Sequence, residues 1–143
     1  MEDLSSEIKH ELLTCANEAR SFSYAPYSHY TVGAALLCSD GTIITGCNAE
    51  NAAYSPGICA ERCAIYKANS MGHRDFVAIA IAGSPESEEV SQYAYPCGVC
   101  RQVMREFVSP ETFIVLVYGP NGKYDERLLV DLLPESFGPD NLK

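Results

Sequence analysis

Two short segments of the chain gather residue types that can do chemistry: Cys59-Ala60-Glu61, preceded by Pro56-Gly57, and Pro96-Cys97-Gly98-Val99-Cys100. Three thiolates can fill three corners of a zinc tetrahedron and leave the fourth to water, as a catalytic rather than a structural site requires. A Cys-x-x-Cys pair at the head of a helix places both sulfurs on one centre, and Cys59, at the head of a second helix packed alongside, completes the set. Zinc with three thiolates carries a net negative charge, which makes its bound water less acidic. Two helix N-termini aimed at the sulfurs offset that charge through free backbone N–H groups. Arg62 and Arg101, adjacent to the two motifs, are candidates to drain more of it. Glu61 is close enough to Cys59 to face the metal without ligating it. Its carboxylate can take a proton from bound water and deliver it to a substrate.

Other readings of the same thiols compete. A lone Cys-x-x-Cys at a helix start fits a thioredoxin-type redox pair as well as a metal site. The remote Cys-Ala-Glu and the proline before Cys97 favour zinc. A structural zinc ribbon wants a fourth cysteine or histidine in a matched pair, and none is spaced that way. Cys63, one turn after Cys59, is the main rival ligand and reads as a small packing residue. Cys15, Cys38 and Cys47 sit in apolar runs and read as core. His10, His29 and His73 show no metal-like spacing and receive no role.

The elements that must position these groups follow from periodicity. Apolar residues at Ile8, Leu12, Cys15, Ala16, Ala19 and Phe22 predict an amphipathic helix over Ser5–Phe22. Ser23–His29, holding Pro26 among aromatics, is an ordered loop. Thr31–Cys38 and Thr42–Cys47, joined through Ser39-Asp40-Gly41, predict a hairpin. Asn48–Gly57 reads as irregular. Helices are expected over Cys59–Met71, stopped by Gly72, and over Cys97–Val108. Phe76–Ala82 and Thr112–Tyr118 are buried-strand candidates, with an acidic loop, Ser84–Tyr95, following the first. Gly119-Pro120-Asn121-Gly122 is a turn, and Leu128–Leu133 a short terminal helix ended by Pro134. Strands alternating with helices after a hairpin give the α/β class: a mixed sheet with helices on both faces. With no repeat, low-complexity tract or linker, residues 1–143 are expected to form a single domain.

Composition narrows the partners. Ten basic against 19 acidic residues give a net charge of −9, which disfavours phosphate backbones and anionic lipid, so neither nucleic acid nor membrane is expected as a partner. Seven cysteines cannot all pair internally, and Met1-Glu2-Asp3 lacks the basic start of a signal peptide. The longest apolar run, Phe76–Ala82, falls far short of the roughly 20 residues that cross a bilayer. A reduced, cytoplasmic protein is therefore expected.

Zinc nucleobase deaminases carry H-x-E followed by P-C-x-x-C, with a three-cysteine variant, and the two motifs here match that variant. The flanking residues extend the match: Tyr24-Ala25-Pro26-Tyr27-Ser28, Val32-Gly33-Ala34-Ala35, Gly46-Cys47-Asn48, Glu50-Asn51-Ala52, Cys100-Arg101-Gln102, Leu132-Leu133-Pro134 and Phe137-Gly138-Pro139. Together and in order, they resemble the small homotetrameric cytidine deaminases of pyrimidine salvage over almost the whole chain. The resemblance implies a three-layer α/β/α fold with a central mixed sheet and one Zn2+ per chain on Cys59, Cys97 and Cys100. It implies Glu61 as proton shuttle while zinc-bound hydroxide attacks C4 of cytidine or 2′-deoxycytidine, giving the uridines and ammonia. Asn48 and Glu50 would bind the ribose hydroxyls, the Ala60 N–H the pyrimidine O2, Tyr30 the base, and Arg62 the thiolates. Tyr54 and Phe137 would reach a neighbouring subunit's site, making each site of a homotetramer composite.

Without the resemblance, Asn48 and Glu50 read as turn and surface residues, Tyr30 and Tyr54 as half-buried aromatics, and Phe137 as a tail anchor on its own subunit. The chain departs from the family pattern at Tyr30 (usually Phe), Cys63 (Thr or Ser), Ala49 (a larger aliphatic) and Tyr95 (a small residue). Alternative functions are a same-fold deaminase of another aminopyrimidine nucleoside and a non-enzymatic Cys97–Cys100 redox module. The absence of a basic stripe argues against polynucleotide or nucleotide substrates.

Overall fold

The computed structural model describes residues 4–142; Met1–Asp3, which bear on the expected absence of a leader, lie outside the described residues. The first element, α1 (Ser6–Ala19), begins where the Ser5 hydroxyl accepts from Ile8 N at 3.2 Å. It buries Leu12, Leu13, Ala16 and Ala19, so its inner face is shifted from the predicted stripe to include Leu13. Phe22 departs most. The helix tightens into a 3-10 turn at Arg20–Phe22, which leaves Phe22 81% exposed rather than on the core face.

Strands β1 (Tyr30–Cys38), β2 (Ile43–Cys47), β3 (Phe76–Pro85), β4 (Ile114–Tyr118) and β5 (Tyr124–Leu128) form one sheet in the order β2-β1-β3-β4-β5. Only the β3–β4 pair is parallel. The chain crosses between these two through α3 (Gly98–Phe107), whereas α2 (Ala60–Ser70) joins β2 to β3. Side chains alternate between faces, as the pleat requires. Ala35, Leu37, Ala78, Ala80 and Ala82 pack under α1. Leu36, Ile79, Ile81, Val115 and Val117 pack with Ala64 and Ile65 of α2 and Met104 of α3. The result is the expected three-layer α/β/α arrangement.

The hairpin turns at Gly41 (φ +92°), and Gly72 (φ +95°) ends α2 as predicted. Strand β5 was not expected. Its sequence, Tyr-Asp-Glu-Arg-Leu, is polar and largely open to solvent at the sheet edge. Charged residues protect an edge from further pairing, and they also erase the alternation by which a strand is read. The short helix α4, Leu129–Leu132, follows as anticipated.

One end of the sheet positions the functional groups. The register pairs Gly33 with Cys47 and Tyr30 with Pro85, which brings together the start of β1 and the ends of β2 and β3. Close packing then seats α2 on this end. A Cβ at Gly46 would stand 2.5 Å from Ala64 N and 2.7 Å from Ala60 O, a space only glycine leaves.

Candidate active site

The first helical residues of α2 and α3 are Ala60 and Gly98, so Cys59 and Cys97 occupy the two N-cap positions. Neither makes a side-chain capping bond, and the helix-start N–H groups have no intrahelical acceptors. Both helices thus present partial positive charge to the thiols. Cys59 Sγ lies 3.9 Å from Cys97 Sγ, and Cys97 Sγ lies 3.5 Å from Cys100 Sγ. All three sulfurs fall within 4.8 Å of one another. Sulfurs about 2.3 Å from a tetrahedral zinc ion stand about 3.8 Å apart, so the 3.9 and 3.5 Å separations match a zinc donor set. Cys100 is buried, Cys59 partly exposed and Cys97 exposed, which leaves one side of the triad open toward the cavity.

Electrostatics supports thiolate character. A hydrogen bond from Cys100, reinforced by those from Arg62 and Cys97, holds the Cys59 thiol down to about 5 against the opposing effect of burial. The same bond to Cys59, together with burial, pushes Cys100 up. Arg62 Nη2 donates to Cys59 Sγ at 3.5 Å. Arg101 does not join it. Its Nε donates to Pro96 O and its Nη1 to Leu132 O, both at 2.7 Å. Neighbouring helical residues point in different directions, and Arg101 instead ties the Cys97 turn to α4.

Glu61 is buried at 4% exposure beside this cluster and lines the cavity. Burial pushes its carboxyl up to about 7, and the negative Cys59 adds to the effect while Arg62 opposes it. A carboxyl poised there can both take and return a proton near neutrality.

The cavity, about 940 Å3, is lined by Tyr30, Asn48, Glu50, Tyr54, Cys59, Ala60 and other residues. Asn48 follows β2 and substitutes for a peptide group beside β1: its Oδ1 accepts from Val32 N and its Nδ2 donates to Tyr30 O, both at 2.9 Å. One amide hydrogen remains for a ligand. Glu50 is anchored by the Tyr27-Ser28 turn. Its Oε1 accepts from Tyr27 N at 3.0 Å and Ser28 N at 3.1 Å, and its Oε2 accepts a short bond from the Ser28 hydroxyl. The Ser28 hydroxyl, followed by its N–H, holds the Glu50 carboxyl below the usual range. The Tyr27-Ser28 turn thus holds the Glu50 carboxylate at the cavity lining.

Tyr54 is fully exposed at the cavity mouth. Phe137 lies elsewhere on this chain: its ring is exposed, and its carbonyl accepts from Gln102 Nε2 at 2.9 Å. Sequence reasoning gave Tyr95 no part in the wall, yet it lines the cavity and donates a short hydrogen bond to Asp125 of β5. Its partner could not be found without knowing that β5 exists.

A family model described as the cytidine and deoxycytidylate deaminase zinc-binding region matches residues 6–116. A cytidine deaminase from Sporosarcina psychrophila is 42% identical over 132 residues, covering 92% of this chain and 93% of that protein. One from Halalkalibacterium halodurans is 42% identical over 131 residues, covering 92% and 95%. The crystal structure of cytidine deaminase from Burkholderia pseudomallei superposes with a TM-score of 0.82 at 41% identity, over 94% of this chain and 100% of that one. The α/β/α fold and the thiol site place the chain in the cytidine deaminase family of zinc-binding hydrolytic enzymes.

Proposed function

We propose that this chain is one deaminase domain that hydrolyses cytidine and 2′-deoxycytidine to uridine and 2′-deoxyuridine plus ammonia, in cytoplasmic pyrimidine salvage. The observation that carries the reading is the cluster of Cys59, Cys97 and Cys100, two of whose thiols, Cys59 and Cys97, line the cavity together with the buried Glu61. Cys59, Cys97 and Cys100 would hold zinc, which supplies Lewis-acid activation of a water nucleophile. Glu61 would take a proton from that water and deliver it to N3 of the pyrimidine as the oxygen adds to C4, then collect the proton of the new C4 hydroxyl and pass it to the amino group, which leaves as ammonia as the C4–N bond breaks. The balance is one water consumed and one ammonia released per nucleoside.

The remaining residues bind and orient. The Ala60 N–H, at the start of α2, faces the pyrimidine O2, and Tyr30 packs against the base. Glu50, already ionised, accepts from a ribose hydroxyl, and Asn48 spends its spare N–H on the same sugar. Arg62 neutralises thiolate charge. Tyr54 and Phe137 project into the sites of neighbouring copies in a homotetramer. Among the described residues no helix is long and apolar enough to cross a membrane, and the net charge of −9 favours an uncharged nucleoside over a phosphorylated one.

The test is incubation of the purified chain with cytidine while the cytosine absorbance band is followed. Loss of the band with ammonia release, abolished by a strong chelator and restored by zinc, is the expected result. A metal-free protein with a reversible Cys97–Cys100 disulfide and no turnover would instead support a redox module.

A further inference from the structure

A second group of metal-ligand atoms lies at the opposite end of α2. Cys38 ends β1, Asp40 lies in the hairpin turn, and His73 follows the α2 C-terminus. A sulfur, a carboxylate oxygen and a ring nitrogen from these three residues all fall within 4.8 Å of one another. With 11 residues, α2 puts about 16 Å between this group and the Cys59 end. The two clusters are separate.

The geometry points to a second metal site, in which Cys38, Asp40 and His73 hold a divalent cation of the zinc class. His73 Nδ1 and Asp40 Oδ2 stand 3.8 Å apart, too far for a hydrogen bond. Nitrogen and oxygen ligands across a tetrahedral zinc ion are about 3.4 Å apart. The spacing is thus nearer to a shared ion than to a direct bond. Mixed sulfur, nitrogen and oxygen donors suit zinc and exclude magnesium or calcium, which take oxygen.

The backbone fixes each ligand in advance. His73 N donates to Ala68 O at 3.0 Å and Gly72 N to Asn69 O at 3.1 Å, the paired bonds that close a helix on a left-handed glycine. Asp40 Oδ1 accepts from Thr42 N at 3.0 Å, which orients the carboxylate. Cys38 N donates to Thr42 O, and Ser39 N to Asp75 O, each at 2.9 Å, so the hairpin is already tied to the segment after α2. An ion here completes that tie, with solvent as its fourth ligand on the exposed Asp40 side. Binding displaces the Cys38 thiol proton, so the site fills more readily as pH rises.

Zinc analysis of the full chain by equilibrium dialysis tests the site. The native protein is expected to take about two ions per chain, and His73→Ala and Asp40→Asn about one. Asp40→Asn sits in an exposed turn and retains the acceptor for Thr42 N, so it isolates the metal role from folding. With the first site filled by zinc, added Co2+ should produce a thiolate-to-cobalt charge-transfer band. Cys38→Ser should abolish that band, and Asp40→Asn should weaken Co2+ binding about tenfold or more. A native stoichiometry of one with no cobalt band overturns the proposal. So does a second ion that every variant retains. Cytidine turnover by Asp40→Asn is expected to be unchanged, so failure of this site and failure of the deaminase reading are distinguishable.

Discussion

Arg62 Nη2 lies 3.5 Å from Cys59 Sγ, one helical turn away, while the Nε of the same side chain is buried with no hydrogen-bond partner among the described residues. A guanidinium that donates to the Cys59 sulfur from the next turn would stabilise thiolate charge there. Outer contacts of this kind typically change metal affinity by about 10- to 100-fold. Arg62→Gln should therefore fold and bind zinc, but lose it to a competing chelator at about 10- to 100-fold lower chelator concentration. Unchanged retention would remove Arg62 from the metal's support.

Glu61→Gln keeps the shape of the buried side chain and removes its titration. Zinc content should be preserved, while kcat for cytidine falls by about 100- to 10,000-fold. Near-normal turnover would assign the proton transfers to another group.

Ser28 separates binding from chemistry. Its N–H and hydroxyl anchor the two oxygens of Glu50, and they touch neither Glu61 nor the thiols. Ser28→Ala should raise KM about tenfold, the effect of roughly 1.4 kcal/mol, with kcat changed less than about threefold and zinc unaffected. A loss confined to kcat would contradict the role given to Glu50.

The Tyr95–Asp125 bond predicts a pH signature. It holds the Asp125 carboxyl below its ordinary value and the Tyr95 phenol above its own. A lowered carboxyl stabilises the fold above its unfolded value, about pH 4, and loses that effect as acid protonates the folded group. A raised phenol stabilises below about pH 10 and loses that effect as alkali ionises it. The urea midpoint of Tyr95→Phe should accordingly trail the native one at neutral pH and converge on it at both extremes. A constant gap from acid to alkali would show that only packing is lost.

The two thiol motifs of the candidate site were legible in the sequence because each is local. Cys97 and Cys100 share one helix turn, Cys59 and Glu61 another, and both motifs open helices whose starts the sequence marks. The parallel strands β3 and β4 were equally plain as continuous apolar runs. What escaped was set by tertiary context. Strand β5 is a charged edge, and Arg101 was placed by adjacency although its direction is decided by the Pro96 and Leu132 carbonyls. Cys38 and His73 meet only because the hairpin folds against the end of α2, and 35 positions of separation leave no local pattern to read. Asn48 was expected at the sugar, but its work as a peptide mimic on β1 needed the strand to be seen.

The bare N-caps of α2 and α3 bear on the life of the protein after synthesis. Helix α1 opens on a serine that satisfies its own first turn, whereas the other two open on cysteines that do not. Replacing a good N-cap typically costs about 1 kcal/mol per helix, and here both deficits meet at one point. If metal supplies the missing constraint, a newly made chain that has not acquired zinc frays where its two helices converge and offers proteases an opening there. Cellular levels of the protein would then follow zinc supply through turnover, independently of any change in its synthesis.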